Sequence, residues 1–68
     1  MYAEERQALI ERLLAEHGRV AVVGLATEFD VTPETIRRDL DSLEVRGALR
    51  RVHGGAVLAA KLSRAEES

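Results

Sequence analysis

Cysteine is absent from this 68-residue chain, which excludes a disulfide framework and a thiolate metal site. Histidine occurs twice, as His17 and His53, too few to complete a structural zinc shell alone. No apolar run approaches the roughly 18 residues that a membrane-spanning helix requires, and MYAEERQ lacks the form of a signal peptide. A single soluble, cytoplasmic domain is therefore expected. Such a short chain buries only about 60% of its unfolded surface, so its core must be compact. There is no internal repeat and no low-complexity tract. No nucleophile elbow, catalytic triad or cofactor motif is found either; the HGG of residues 53–55 is only a faint echo of an esterase oxyanion loop. Neither enzymatic activity nor a cofactor is expected.

The chain also lacks the basic excess usual in nucleic-acid-binding domains, since its net charge is −2. The distribution qualifies that argument. Arg46, Arg50, Arg51, Lys61 and Arg64 fall between Val45 and Ala65, a stretch with no acid, whereas the acids sit mainly in the N-terminal segment, as Glu4, Glu5, Glu11 and Glu16, and in residues 33–45. A local positive face can bind phosphate on a nearly neutral molecule. Charge alone leaves that reading level with an ordinary solvated surface.

Residues 3–17 have the spacing of an amphipathic helix. Leu9, Ile10, Leu13 and Leu14 form its apolar side, Glu4, Glu5, Arg6, Arg12 and Glu16 take the other sides, and Gly18 supplies the stop. Arg19-Val20-Ala21 has the length of a brief strand. Val22, Leu25, Ala26 and Phe29 then follow a helical period, although no capping oxygen marks the start and Gly24 weakens the first turns. Asp30-Val31-Thr32 is a tight connection, with Asp30 suited to left-handed backbone and Val31 directed to the core.

The next helix has the clearest start. Thr32 caps it, Pro33 fits its first position and Glu34 meets the positive end of the dipole. Ile36, Leu40 and Leu43 share one face, and Gly47 ends the helix. Ala48–Val52 and Ala56–Leu58 flank His53-Gly54-Gly55 as a hairpin. Leu49 and Val52 have opposite parity, so a bulge or an offset strand start is expected. Residues 59–68 carry no sustained pattern and are expected to form a linker or frayed tail.

Two short helices joined by a short turn make a helix-turn-helix, whose second helix meets base edges in the major groove. With Ile36, Leu40 and Leu43 inward, Glu34, Arg38, Asp41 and Val45 face out, and Thr35, Arg37 and Ser42 lie on the flanks. Thr35 and Arg38 are the candidates for base contact, because arginine donates two hydrogen bonds to guanine. Arg37 is assigned to a base or a neighbouring phosphate. The plainer reading makes Glu34–Arg38 and Arg37–Asp41 i,i+4 surface pairs. Asp39 is expected to pair with a basic group inside the domain. Thr32 is primarily a cap, and its neighbouring amides suit a phosphate. On the hairpin, Arg50, Arg51 and His53 are candidates for phosphate or minor-groove contact. Gly54 and Gly55 are read first as turn residues and second as sites of close backbone approach.

The run from Gly18 to Ala56, with TIRRDL at residues 35–40 and RRVHGGA at residues 50–56, strongly resembles the N-terminal domain of DeoR-type bacterial transcription regulators. The resemblance covers roughly residues 3–58. It implies a mainly α fold with a small β-hairpin, namely a three-helix winged helix-turn-helix over residues 1–58. It also implies operator binding, with a recognition helix of about residues 33–46 and a wing of about residues 49–58. Double-stranded DNA is the implied partner, and repression of sugar or carbohydrate genes the implied role. Family members generally carry a C-terminal domain that binds a phosphorylated sugar and promotes homo-oligomerisation. That domain is not in this sequence, so the chain is expected to be truncated after its DNA-binding unit. Val23-Gly24 departs from the acidic residue that often opens the second helix in the family. A winged-helix protein-interaction module is the alternative, and an exposed apolar patch would distinguish it.

Overall fold

A computed structural model describes residues 1–59; apart from Ala59, the expected tail of residues 59–68 lies outside them. The elements in chain order are α1 (Ala3–His17), β1 (Arg19–Ala21), α2 (Val22–Phe29), α3 (Pro33–Val45), β2 (Leu49–Val52) and β3 (Gly55–Leu58). The strands form one antiparallel sheet in the order β1-β3-β2, so the short Arg19–Ala21 segment extends the hairpin to three strands. The fold is a mostly helical winged helix-turn-helix, as expected.

Helix ends follow local chemistry. The amide of Tyr2 donates to Glu5 Oε1 at 3.1 Å in the first turn of α1, and the helix ends at Gly18. At the end of α2, Asp30 takes the left-handed conformation with φ of 57°. There the Val31 amide donates to the Ala26 carbonyl at 3.0 Å and the Asp30 amide to that of Thr27 at 3.3 Å. This pair of bonds satisfies carbonyls that the helix would otherwise leave open, and it turns Val31 back onto the core. The same pattern closes α3, through Ala48 to Leu43 and Gly47 to Glu44, both at 2.9 Å.

The start of α2 receives its partner from elsewhere. Ala21 contributes no side-chain cap, and the Val22 amide instead donates to the Gly54 carbonyl of the hairpin turn at 2.9 Å. An orphan donor of the helix is thereby satisfied by the wing.

The core joins Ile10 and Leu14 of α1, Val22, Leu25 and Ala26 of α2, Ile36, Leu40 and Leu43 of α3, and Leu49 and Ala56 of the sheet. Leu13, Val20, Phe29 and Val31 pack around it, half-buried. Two residues of α1 differ from the expected pattern. Leu9 lies at the exposed edge of the apolar face, and Arg6 is buried. The reason for the second is an ion pair described below.

The hairpin contains no bulge. Leu49, Arg50, Arg51 and Val52 pair in even register with Leu58, Val57, Ala56 and Gly55, leaving His53 and Gly54 as the turn. The strand starts one residue later than Ala48. Leu49 and Val52 have opposite parity because they face opposite ways: Leu49 is 2% exposed and Val52 43%.

Candidate nucleic-acid interface

Three residues, Asp30 to Thr32, separate α2 from α3, the compact connection that fixes the angle of a helix-turn-helix. Thr32 Oγ1 accepts from the Thr35 amide at 3.2 Å and lies 3.0 Å from Thr35 Oγ1. The two hydroxyls form an exposed polar pair at the N-terminus of α3. Burial of Ile36, Leu40 and Leu43 leaves Glu34, Arg37, Arg38, Asp41, Ser42 and Val45 facing outward. Arg37 Nη1 donates to Glu34 Oε1 at 3.5 Å. Arg38 is exposed and has no ion-pair partner among the described residues. The i,i+4 pairs Glu34–Arg38 and Arg37–Asp41 do not form, because Glu34 reaches Arg37 and Asp41 is taken by Arg51 of the wing.

Strand alternation divides the two wing arginines. Arg50 points away from the core and is exposed, while Arg51 faces α3 and is partly buried. The Arg51 guanidinium bonds Asp41 through Nη1, and its amide donates to Glu44 Oε2 at 3.0 Å. β2 is an edge strand, so Glu44 satisfies a backbone donor that the sheet leaves unpaired. Among the buried polar side-chain atoms described, Arg51 Nε has no hydrogen-bond partner.

At the wing tip Gly54 has φ of 78°, a left-handed conformation that glycine adopts without steric cost. Gly55 meets a different constraint. A Cβ there would lie 2.1 Å from the Val20 carbonyl oxygen, so absence of a side chain lets β1 approach β3. Of the two readings of this glycine pair, the turn applies to Gly54 and the close approach to Gly55.

Between α3, the wing and the start of α2 lies an open hollow of about 420 Å³, with Arg37, Arg51, His53 and Gly54 on its walls together with Val22, Val23 and Val52. Arg37 and Arg51 thus share one rim. Arg38 is the next residue along α3, whereas Arg50 leaves the other face of β2. A second hollow, of about 370 Å³, lies across the wing tip and is bordered by Arg19, His53 and Gly54. The sequence reading left Arg19 unassigned; its place beside the wing, opposite Val57, follows only once β1 is known to join the sheet.

The anchor behind α3 involves a residue to which the sequence assigned no partner, Arg6. Asp39 is 3% exposed and accepts from Arg6 Nε, from Arg6 Nη2 at 3.2 Å and from Gln7 Nε2 at 3.2 Å. Asp39 therefore pairs within the domain, as expected, but its partner comes from α1. Hydrogen bonding to Asp39 raises the Arg6 pKa, against the lowering by burial. A forked guanidinium–carboxylate contact fixes orientation as well as distance, so it holds α1 against the inner side of α3.

Among the described residues no group of three or more His, Asp or Glu side chains is placed to hold a metal ion. No described helix is long and apolar enough to cross a membrane.

The sequence pattern of the DeoR-like helix-turn-helix domain matches residues 6–61. The HTH-type transcriptional regulator GolR of Listeria innocua is 45% identical over 58 residues, which cover 85% of this chain and 23% of that protein. The L-fucose operon activator of Haemophilus influenzae is 46% identical, over 76% of this chain and 21% of its own. The lactose phosphotransferase system repressor of Streptococcus mutans is 41% identical, over 82% and 22%. The chain spans about a fifth of the length of these relatives. No solved structure matches it significantly.

Proposed function

The chain belongs to the DeoR-like helix-turn-helix family, and from that premise we propose how it engages duplex DNA. It is the DNA-binding domain of a transcription regulator. In the proposed complex, α3 enters the major groove and the wing of residues 49–58 meets the backbone or the adjacent minor groove. Thr35 and Arg38 contact base edges, and Arg37 contacts a base or the nearest phosphate. Thr32 and the amides beside it receive a phosphate at the helix N-terminus. Arg50, Arg51, His53 and Gly54 are the wing contacts. The observation that carries this reading is the hollow bordered jointly by Arg37, Arg51, His53 and Gly54. It gives the helix and the wing a common concave surface for one backbone.

Residues 1–58 are read as the complete DNA-binding unit. Control of carbohydrate genes is proposed because relatives are named for an L-fucose operon and a lactose phosphotransferase system. One of those names says activator and the other repressor. Repression is the reading preferred here, because occupying an operator suffices for it, while activation requires a further productive contact. A phosphorylated sugar effector and homo-oligomerisation are assigned to regions beyond these residues, in a protein acting in the bacterial cytoplasm. No catalytic role is proposed. The protein-interaction alternative is less well supported: Val45 stands among charged neighbours, and the exposed Val23 and Val52 line a hollow whose other walls include Arg37, Arg51 and His53.

Selection of bound duplexes from a random pool, followed by amide-shift titration, tests this reading. Shifts should concentrate at residues 34–38 and 50–55. Arg38→Ala should relax preference at one base position, while Arg51→Ala should weaken all sequences alike. Shifts confined to the exposed side of α1, or equal sequence-independent losses for both variants, would refute these assignments.

A further inference from the structure

In the free domain the cation best placed between wing and recognition helix is already occupied. Arg51 bonds Asp41 of α3 while its side chain is 26% exposed, whereas the Asp41 side chain is 65% exposed. Two further contacts define what can move. Glu44 holds the Arg51 backbone amide at 3.0 Å, which fixes the strand and leaves only the guanidinium free to change partner. Arg51 Nε is buried without a hydrogen-bond acceptor, so the group carries unused donor capacity beside the hollow it shares with Arg37.

We propose that Asp41 attenuates the sequence-independent affinity of this domain for DNA, by holding the Arg51 guanidinium until a backbone phosphate displaces it. The inference rests on the DNA-binding reading above. A carboxylate and a phosphate both accept from arginine N–H groups, so the two compete for the Arg51 Nη1 donor that Asp41 holds. Asp41 sits at the solvent side of the pair, where an approaching phosphate meets its charge first. Each binding event must break the internal contact and then tolerate the displaced carboxylate nearby. Asp41 is on this account a positioning residue that lowers affinity through the contact each binding event must break.

The test uses the 68-residue chain and a random-sequence duplex, with affinity measured across a salt series. Removing the carboxylate by Asp41→Asn should tighten binding several-fold and leave the log–log salt slope little changed, because Arg51 neutralises the same phosphate in both proteins. In an Arg51→Gln background, Asp41→Asn should produce no such gain. A gain that persists there would mean that Asp41 acts only through bulk charge, and the proposal would be overturned. Unchanged or weaker binding by Asp41→Asn alone overturns it as well. Should the double variant fail to fold, the Arg51 Nε–Hε resonance of the unmodified protein serves instead. It should shift when duplex is added, as carboxylate gives way to phosphate, and an unmoved signal overturns the proposal. Failure of the unmodified chain to bind any duplex at low salt would instead refute the DNA-binding reading itself.

Discussion

Arg6 and Asp39 meet inside a domain too small to absorb an unpaired charge. Asp39 lies on the inner side of α3 beside Leu40 and Leu43, and the Arg6 fork and Gln7 are its partners. Neutralising one member alone leaves the other desolvated, which typically costs about 3–5 kcal/mol. Arg6→Met should therefore lower stability by that amount, read as the shift in a urea or thermal midpoint. Because 1 kcal/mol moves the melting temperature of a domain this size by roughly 4–8 °C, the variant should melt well below the unmodified chain. Arg6→Met combined with Asp39→Leu should recover most of the loss, since apolar replacement of a whole buried pair is often neutral. A loss below about 1 kcal/mol for Arg6→Met would show that water reaches Asp39 and that α1 is not pinned through it. By contrast, the exposed pair of Arg37 with Glu34, at 3.5 Å, is of the kind that contributes less than about 1 kcal/mol. Its use is to hold Arg37 extended beside the wing.

At the scale of elements, β1, the wing and α2 form one linked assembly. Val22 donates to Gly54, Leu58 donates to Gly18 at 3.0 Å, and β3 lies between β1 and β2. Gly55 is where this assembly tolerates no side chain, because an added Cβ would overlap the Val20 carbonyl. Gly55→Ala should cost about 1–3 kcal/mol, as overpacking does. It should also accelerate hydrogen exchange at the Val22 and Leu58 amides more than at Leu40. Uniform acceleration at all three would mean that the wing opens only with the whole domain. The same elements show what was legible in the sequence. Thr32-Pro33 with Ile36, Leu40 and Leu43 specified α3, since cap and apolar period are both local. Gly18, Asp30 and Gly47 marked helix ends for the same reason. The start of α2 was not legible, because its acceptor is a backbone carbonyl of the distant hairpin. Arg6 resembled any other charge on a helix, as its partner lies on another element. Asp41 was assigned to Arg37 by spacing, yet the strand brought Arg51 within reach. The separation of Arg50 from Arg51 could have been read from strand alternation, but treating them as one basic cluster concealed it.

For the whole molecule, the decisive quantity is how much of its surface one duplex can cover. Acids are shared between α1, with Glu4, Glu5, Glu11 and Glu16, and α3, with Glu34, Asp39, Asp41 and Glu44, while Arg37, Arg51 and the wing tip face the hollow. A single module of this kind covers only about 600–1,000 Å², so one copy should bind weakly even at its preferred sequence. Affinity then depends on bringing two copies to two half-sites on one face of the helix. Two copies joined by a flexible linker long enough to span one turn, roughly 34–36 Å, should bind a two-site duplex about 10²–10⁴-fold more tightly than a single site. Moving one half-site by half a turn should abolish most of that gain, because the second site then faces away from the tether. The comparison is made by titrating the linked pair against three duplexes that differ only in the presence and phase of the second half-site. Equal affinity for all three would mean that the hollow beside α3 does not fix the domain's orientation on the helix. In that case the phasing of sites could not be read by α3 and the wing together.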